Sequence, residues 1–204
     1  MSTLGRIPLE FKPYKADEVY DILSARAVEA FAPNTVSEDV LEYIANIAAS
    51  PPVNGDIRYA LDLLLYAGNL AENLGSDRVQ PEHVRSVHSR IHPSITEEDL
   101  MNLPKKGHLI TLLAVARALK GTRKPYTTLK DVRLNYEMVC NEVRVKPSED
   151  VEEFLQDLHD RRIIEIRSLR EVGVSGAPVE NLELFLNSLL GRLEGELYGG
   201  RRDG

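Results

Sequence analysis

Apolar residues along most of this chain recur every three or four positions, which is the spacing of one buried face on an α-helix. Proline, glycine and asparagine separate these periodic segments, as expected of breaks between helices. The pattern therefore predicts a mainly α-helical protein. In the first half of the chain, the predicted helices cover residues 15–31, 37–50, 55–74 and 81–92.

Individual residues mark the ends of these helices. Ser37 suits an N-cap, because its hydroxyl can accept a hydrogen bond from a backbone N–H of the first turn. Gly75 is typical of a helix C-terminus, and Pro81 is typical of a first helical position. The third helix is predicted to bury Ile57, Ala60, Leu61, Leu64, Ala67 and Ala71. Four residues near the fourth helix are expected to pack back on the others: Val79, Val84, Val87 and Ile91.

The second half of the chain adds a strand to the helical pattern. Its predicted helices cover residues 105–121, 127–143, 147–163 and 179–197. We expect Thr127 or Thr128 to cap the second of these and Ser148 to cap the third. Residues 163–169 alternate between apolar and polar, which indicates a strand, and the glycine-rich residues 170–178 indicate a turn.

Three helices followed by a strand and a turn are the order of elements in a winged helix-turn-helix domain. The second strand of its hairpin is expected after Pro178, where the pattern is helical, so a short or distorted hairpin is predicted. The fold class is therefore a helical bundle followed by a winged helix-turn-helix domain with a small β-hairpin. The predicted division is a bundle over 1–95, a linker over 96–104, a winged helix over 105–198 and a disordered tail over 199–204.

The net charge of −7 is divided unevenly between these two parts. Residues 1–104 hold 8 Lys and Arg against 16 Asp and Glu, whereas residues 105–204 hold 17 against 16. This asymmetry predicts two units with different partners.

No apolar run reaches the roughly 20 residues of a membrane span. The single cysteine, Cys140, cannot form an intramolecular disulfide and is expected to be a buried apolar residue. Because the sequence also shows neither a membrane span nor a signal-peptide pattern, the protein is predicted to be soluble and intracellular.

Arg58 is the candidate site residue that the helix pattern does not explain. It falls in the first turn of the predicted third helix, where the helix dipole disfavours positive charge. One interpretation is an ion pair with Asp62 one turn later, which would stabilise the helix by a few tenths of a kcal/mol. The other is that Arg58 is kept for a negatively charged ligand.

Other patterns offer little catalytic or metal chemistry. His88 and His92 are spaced to share a helix face, but no third ligand is near them in sequence, and no metal site is predicted. The sequence contains no nucleophile-elbow motif that would indicate a hydrolase, and we propose no catalytic residue. Tyr126 and Tyr136 have the ring needed to stack on a base, although core packing is the simpler interpretation.

Four stretches carry a resemblance to a known family. They are LEFKPYKADEVYDILSARAVEAF, NGDIRYALDLL, VQPEHVRSV and FLQDLHDRRIIEI. Together they resemble the C-terminal two-thirds of the archaeal origin-recognition initiators, which are AAA+ proteins similar to the eukaryotic origin-recognition subunit and its helicase-loading partner. The resemblance implies a helical AAA+ lid followed by a winged-helix domain. NGDIRYALDLL resembles the sensor-2 motif, in which the arginine at the Arg58 position reaches the phosphates of ATP.

The resemblance also implies cofactors and partners. ATP or ADP with Mg²⁺ would be held by an ATPase domain, but this chain has neither the phosphate-binding loop motif nor the acidic Mg²⁺-binding strand. It is therefore expected to be a fragment, or to work with an ATPase domain located elsewhere, and not to hydrolyse ATP alone. The implied partners are origin duplex DNA, the missing ATPase domain, the replicative helicase and other initiator subunits, with no membrane partner. The implied location is the archaeal cytoplasm at the nucleoid.

For DNA, the sequence offers flanking basic residues more than a basic recognition helix. The first turn of the third helix of the winged-helix domain reads Ser148, Glu149, Asp150, followed by Glu152 and Glu153, which disfavours contact with phosphates. The predicted DNA-binding residues flank that helix and the wing: Arg144, Lys146, Ser148, Arg167 and Arg170. Further basic candidates are Lys105, Lys106, His108, Lys120, Arg123, Lys124, Arg161 and Arg162. The alternative is a winged-helix protein-interaction module, or a transcription regulator, with little affinity for DNA.

Overall fold

The structure is a computed structural model that describes residues 12–93, 95–168 and 170–199. The first half of the chain forms helices close to the predicted ones. These are α1 (Ala16–Ala30), α2 (Glu38–Ala49), α3 (Ile57–Asn73), α4 (Pro81–Ile91) and the short α5 (Glu97–Met101). Ser37 is the N-cap residue of α2, as predicted, but its side chain makes no capping hydrogen bond. Pro81 is the first residue of α4, and Gly75 follows α3 with a positive φ of 66°.

The apolar faces of α1 to α4 form the first hydrophobic core. Its fully enclosed members include Val19, Leu23 and Tyr43. Three positions of the predicted packing are wrong. Leu63 is buried on α3 whereas Ile57 and Leu61 are only half-buried, so the buried face is rotated slightly from the predicted one. Ile91 is 45 % exposed, because it is the last residue of α4 and extends beyond the bundle.

The described part of the second half contains four helices of 10 to 21 residues and a small sheet. In chain order these are α6 (Lys106–Thr122), β1 (Tyr126–Thr128), α7 (Leu129–Glu142), α8 (Val151–Asp160), β2 (Glu165–Ser168), β3 (Glu171–Gly173) and α9 (Val179–Gly199). α6 is buried along most of its length and contacts α7, α8 and α9. This arrangement is a winged helix, in which α8 has the position of the recognition helix.

The sheet contains the short, irregular hairpin that the sequence predicts, formed by β2 and β3, and adds a third strand, β1. Its strand order is β1-β3-β2, and both pairs are antiparallel. β3 lies within the segment 170–178 that was predicted as a turn, so the expectation of a second strand after Pro178 is wrong. β1 was not predicted, because three residues are too few for alternation to be visible. Tyr126 pairs with Gly173 and Thr128 pairs with Glu171, so β1 is recognisable only through its partner strand.

The caps of the winged helix follow prediction in one case and not in the other. The Thr128 hydroxyl accepts a hydrogen bond from the Asp131 N–H at the start of α7. Ser148, however, is not the cap of α8, which begins at Val151 with Asp150 as its N-cap residue. The Ser148 hydroxyl instead accepts a hydrogen bond from the Asp150 N–H and contacts the Asp150 carboxylate, in the turn that precedes the helix.

The second hydrophobic core begins before α6. Leu100 and Leu103, from the segment predicted as a linker, are buried in it. Cys140 is buried there as expected, and so is Tyr136. Within the residues that the structure describes, no helix is long and apolar enough to cross a bilayer. The tail predicted over 199–204 lies, from residue 200 onward, outside the described residues.

Candidate functional site

The first turn of α3 presents Arg58 on a rigidly built helix start. The Asp56 side chain caps the helix by accepting hydrogen bonds from the backbone N–H groups of Arg58 and Tyr59, at 2.9 and 3.2 Å. Before it, Gly55 has φ +82°, and a Cβ there would lie only 2.5 Å from the Tyr14 carbonyl oxygen. The turn therefore needs glycine both for its dihedral angle and for the close passage of the Tyr14 backbone.

The Arg58 guanidinium is exposed to solvent. In the described part of the chain it makes no ion pair, so the predicted pair with Asp62 is absent. The Asp56 carboxylate caps the helix through the backbone, but no carboxylate among the described residues pairs with the Arg58 guanidinium, whose charge the helix dipole opposes. The arrangement leaves the planar donor fork of Arg58 available to an anion from outside this chain.

Behind Arg58, its neighbour Tyr59 connects α3 to α4. The Tyr59 hydroxyl lies 2.5 Å from Nδ1 of His88, and the His92 ring lies against Tyr59 with centroids 5.2 Å apart. Burial lowers the pKa of His88 to about 4, helped by the proximity of His92, and burial raises the pKa of Tyr59 to about 12. Tyr59 therefore donates to a neutral His88 at neutral pH. Among the described residues, no group of three or more His, Cys, Asp or Glu side chains could hold a metal ion.

The exposed surface of α8 is acidic. Glu149, Asp150 and Glu153 are exposed around its start, and Glu152 forms an ion pair with Arg133 of α7. The apolar residues Val151, Phe154, Leu155 and Leu158 face the core, as predicted. The helix in the recognition position therefore presents carboxylates, and a phosphate backbone would not be attracted to it.

The basic residues just before α8 are better placed to attract phosphate. Arg144 and Lys146 are both exposed, and neither forms an ion pair within the described ranges. Arg144 has φ +49° in the turn that ends α7, where the N–H of Val145 bonds back to the carbonyl of Cys140 at 2.9 Å. The structure thus keeps two of the predicted DNA-binding residues unpaired and adjacent. Ser148, the third, is occupied in its local turn with Asp150.

The wing residues have partners. Arg167 of β2 forms an ion pair with Glu42 of α2, and its guanidinium carbon lies 5.4 Å from the centroid of the Tyr126 ring. The hydrogen bond from Arg167 to Glu42 raises the pKa of Arg167. Arg170 is exposed beside the β2–β3 turn, and its carbonyl accepts a hydrogen bond from the Leu129 N–H at 3.0 Å. Arg167 is therefore held by the first domain in this arrangement.

Several of the further basic candidates serve the fold. His108 is buried, with Nε2 3.0 Å from the Asp157 carboxylate, and it stacks on Phe154. Arg161 pairs with the same carboxylate. Lys120 pairs with Glu183 and so attaches α6 to α9. Lys105, Arg123, Lys124 and Arg162 are exposed, and Lys106 is half-buried.

Arg85 is the residue of greatest structural consequence that the sequence did not single out. It lies on α4 and is 2 % exposed. Its Nε donates to the Val174 carbonyl at 2.7 Å, and Nη2 donates to the Pro125 and Lys124 carbonyls at 2.8 and 3.2 Å. All three acceptors belong to the winged-helix domain. The sequence gives no signal of this role, because the carbonyl groups that bind Arg85 belong to residues 39 to 89 positions away in the chain.

Neighbouring residues strengthen this junction. The Tyr43 hydroxyl of α2 donates to the same Val174 carbonyl at 2.9 Å, and the Arg85 guanidinium lies over the Tyr43 ring. Glu82 accepts a hydrogen bond from the Val179 N–H at 2.7 Å, which caps the N-terminus of α9 across the domain boundary. Tyr43 and Tyr126 meet edge to face with centroids 5.7 Å apart. The bundle and the winged helix are therefore joined by buried polar contacts.

Comparison with protein-family models assigns both parts of the chain. Residues 20–89 match the Cdc6 AAA+ ATPase-type lid domain, and residues 98–173 match the C-terminal winged helix domain of CDC6. The lid match contains Arg58, Arg85 and His88. The winged-helix match contains α8 and the sheet.

Similar proteins agree with that assignment. An ORC1-type DNA replication protein 2 of Saccharolobus solfataricus is 34 % identical over 174 residues, which is 83 % of this chain and 41 % of the relative. An ORC1-type DNA replication protein of Pyrococcus furiosus is 33 % identical over 180 residues, covering 88 % and 40 %. The crystal structure of Cdc6p from Pyrobaculum aerophilum superposes with a TM-score of 0.82 at 32 % identity, covering 93 % of this chain and 52 % of that one. The chain spans about two fifths of the length of these curated relatives.

Proposed function

This chain belongs to the Cdc6/ORC1-type family of DNA replication proteins, and on that premise we propose that it binds replication-origin duplex DNA and couples this binding to ATP. The observation that carries the proposal is the exposed Arg58 guanidinium, without an ion-pair partner in the described ranges, on the first turn of α3. Its role is that of a sensor-2 arginine, which binds the phosphates of ATP or ADP with Mg²⁺ in an ATPase domain.

The proposed coupling uses the domain junction. A guanidinium that changes its contacts when ATP becomes ADP changes the angle of the lid relative to the ATPase domain. The Arg85 contacts with the Val174, Pro125 and Lys124 carbonyls then carry the winged helix with the lid. In this view the nucleotide repositions the winged helix on DNA, after which the replicative helicase is recruited, together with other initiator subunits.

The proposed DNA contacts are made mainly to phosphates. Arg144 and Lys146 flank the start of α8, and Arg170 lies beside the β2–β3 turn. Such a footprint predicts binding that weakens steeply with salt and that discriminates poorly between sequences. Arg167 can join it only by giving up its ion pair with Glu42.

The nucleotide role is tested with Arg58→Ala and Arg58→Lys in the protein together with its ATPase domain. We expect both variants to fold normally and to lose much of the difference in DNA affinity between the ATP and ADP states, since lysine keeps the charge but not the fork. Arg26→Ala is the matched control, because Arg26 is an exposed lid arginine paired only with Glu29. An unchanged nucleotide response in Arg58→Ala removes the sensor role.

The DNA role is tested on this chain by fluorescence anisotropy with duplex DNA over a series of salt concentrations. Arg144→Asn, which tolerates the positive φ, and Lys146→Gln should each weaken binding and reduce the slope of log K against log salt by about 1. Arg26→Gln should change neither. Absence of binding at low salt would contradict the proposal.

One observation favours a second function. The exposed start of α8 carries Glu149, Asp150, Glu152 and Glu153, and this surface suits a basic protein partner better than DNA. In that case the winged helix is a protein-interaction module or belongs to a transcription regulator with little DNA affinity. The salt series above separates the two functions, because the interaction module has no measurable affinity for duplex DNA.

A further inference from the structure

A small cavity of about 150 Å³ lies where the lid and the winged helix meet. Basic residues from both domains line it. Arg78 comes from the lid, just before α4, and Arg123 and Lys124 come from the connection between α6 and β1. The two domains thus bring like charges together at one point of their boundary.

These cations differ from many others in the protein because they lack carboxylate partners. Arg117 pairs with Glu142 and Arg161 pairs with Asp157, for example. By contrast, none of the three cavity cations forms an ion pair with another residue in 12–93, 95–168 or 170–199. The protein has a net charge of −7, so acidic residues outnumber basic ones. A general excess of basic residues therefore does not explain why three cations without described ion-pair partners line one small cavity.

The rest of the lining contributes only one carboxylate. It is that of Asp39, in the first turn of α2, where the helix dipole favours a negative charge and Asp39 forms no ion pair with a described residue. The cavity therefore keeps a positive excess. Three like charges across a domain boundary repel each other, and an anion bound between them would replace that repulsion with attraction.

We propose that this cavity binds a phosphate group, which bridges the lid to the winged helix through Arg78, Arg123 and Lys124. Arginine suits this ligand because its planar fork can donate two parallel hydrogen bonds to phosphate oxygens, and lysine adds a mobile point charge. Arg123 has φ +54°, a conformation that is unusual for a residue with a side chain, at the point where α6 ends and its side chain reaches the cavity region.

The direction of β1 in the sheet favours a small ligand, rather than DNA, as the source of the phosphate. Tyr126 pairs with Gly173, whereas Thr128 pairs with Glu171 next to the β2–β3 turn. Lys124 therefore lies at the end of the sheet opposite the wing, away from the surface proposed for duplex DNA. Free phosphate and the terminal phosphate of a nucleotide share the chemistry that this cavity recognises. The inference does not depend on DNA binding or on the role of Arg58.

The test is a titration of this chain with inorganic phosphate at constant ionic strength, with chloride as the balancing anion. Binding is followed by ³¹P NMR line broadening and by the midpoint of thermal unfolding. We expect saturable binding that raises the midpoint, and an affinity at least about tenfold lower in Arg78→Gln and in Arg123→Asn. Asparagine is chosen at 123 because it tolerates a positive φ. Arg162→Asn, an equal change of charge at another exposed position with positive φ, is the control and should bind phosphate as the unmodified chain does.

Two competition experiments identify the source of the phosphate. A nucleoside triphosphate that displaces ³¹P-detected phosphate indicates a nucleotide, and failure to displace it indicates free phosphate. A short duplex DNA should not displace the bound phosphate. If DNA does displace it, and if Arg78→Gln abolishes that displacement, the assignment to a small ligand is overturned. Equal phosphate response in the unmodified chain, Arg78→Gln and Arg123→Asn, or no response beyond that to chloride, would overturn the site itself. Loss of DNA binding in Arg144→Asn would leave this result unaffected, so the two proposals can fail separately.

Discussion

The Nε of Arg85 donates a hydrogen bond of 2.7 Å to the carbonyl oxygen of Val174, although 89 residues separate them in the chain. Arg85 belongs to the lid, and Val174 ends the wing of the second domain. The Tyr43 hydroxyl reaches the same carbonyl. A single backbone oxygen is thereby fixed by two side chains of the neighbouring domain, so the junction depends on Arg85 and Tyr43 together.

Replacing Arg85 tests how strongly this contact joins the domains. Arg85→Met should reduce the free energy of unfolding by about 3 to 5 kcal/mol, because it leaves the buried Pro125 carbonyl and the part-buried Lys124 carbonyl without their donor. Urea unfolding monitored by circular dichroism provides the measurement, and a split into two transitions would report independent domains. Arg26→Met removes an exposed arginine and should change stability by less than about 0.5 kcal/mol. A similar small effect in Arg85→Met would show that the junction contributes little.

The two helix caps provide a matched comparison. Thr128→Ala should destabilise the protein by about 1 kcal/mol, because the hydroxyl of Thr128 accepts a hydrogen bond from the Asp131 N–H. Ser37 has the same position at α2 but makes no capping hydrogen bond, so Ser37→Ala should have a clearly smaller effect. Thermal and urea unfolding of both variants measure the difference. Equal losses would mean that Ser37 caps α2 in solution.

Two glycines with positive φ separate backbone strain from steric overlap. Gly75→Ala should cost about 1 kcal/mol, because φ is +66° but nothing lies within 4 Å of the new Cβ. Gly55→Ala should cost more, about 2 to 4 kcal/mol, because its Cβ would also overlap the Tyr14 backbone next to the Arg58 turn. Unfolding in urea compares the two. Similar losses at both positions would argue against the close passage of Tyr14.

Stability should depend on pH through His88. Its folded-state pKa of about 4 lies below the ordinary value of 6.5, so the unfolded chain takes up a proton first as the pH falls. The stabilising contribution is complete above about pH 6.5 and is lost progressively as the pH falls to about 4, at most about 3 kcal/mol in total. The free energy of unfolding measured from pH 7.5 to 4 should show this slope.

Two variants assign that slope. His88→Gln should remove most of it, and the part that remains is assigned to His83, whose pKa is also lowered by burial. Tyr59→Phe should retain most of it, since burial, rather than the hydrogen bond to Tyr59, is the main cause of the lowered pKa. An unchanged slope in His88→Gln would assign the effect to another group.

Much of the fold could be predicted because local patterns specify it. Helix periodicity located α1 to α4 and α6 to α9 within a few residues, and Pro81, Thr128 and Gly75 marked ends that the structure confirms. β1 and β3 could not be located this way, because strands of three residues form only when a partner strand supplies their hydrogen bonds. The first turn of α8 was also placed too early, since Ser148 bonds in a turn of its own before the helix begins.

The same difference between local sequence patterns and long-range contacts applies to the residues of the candidate site. The sequence around Arg58 predicts its position on the first turn of a helix. Whether Arg58 has an ion-pair partner could not be predicted, because that depends on where carboxylates lie in space, and none of the described residues supplies one. From the sequence, Arg167 is predicted to be one of the DNA-binding residues that flank the recognition helix and the wing. The structure pairs it with Glu42, 125 residues away.

By itself, the sequence determined which segments are helices and which residues begin several of them, because those properties depend on neighbours within a few positions. It also determined the two-part order of lid and winged helix. Only the tertiary structure decided which charges are neutralised and which remain available. Arg85 and Arg167 are satisfied by groups from the other domain, whereas Arg58 and Arg78 form no ion pair with any residue that the structure describes. The energy of a charge depends on what surrounds it in three dimensions.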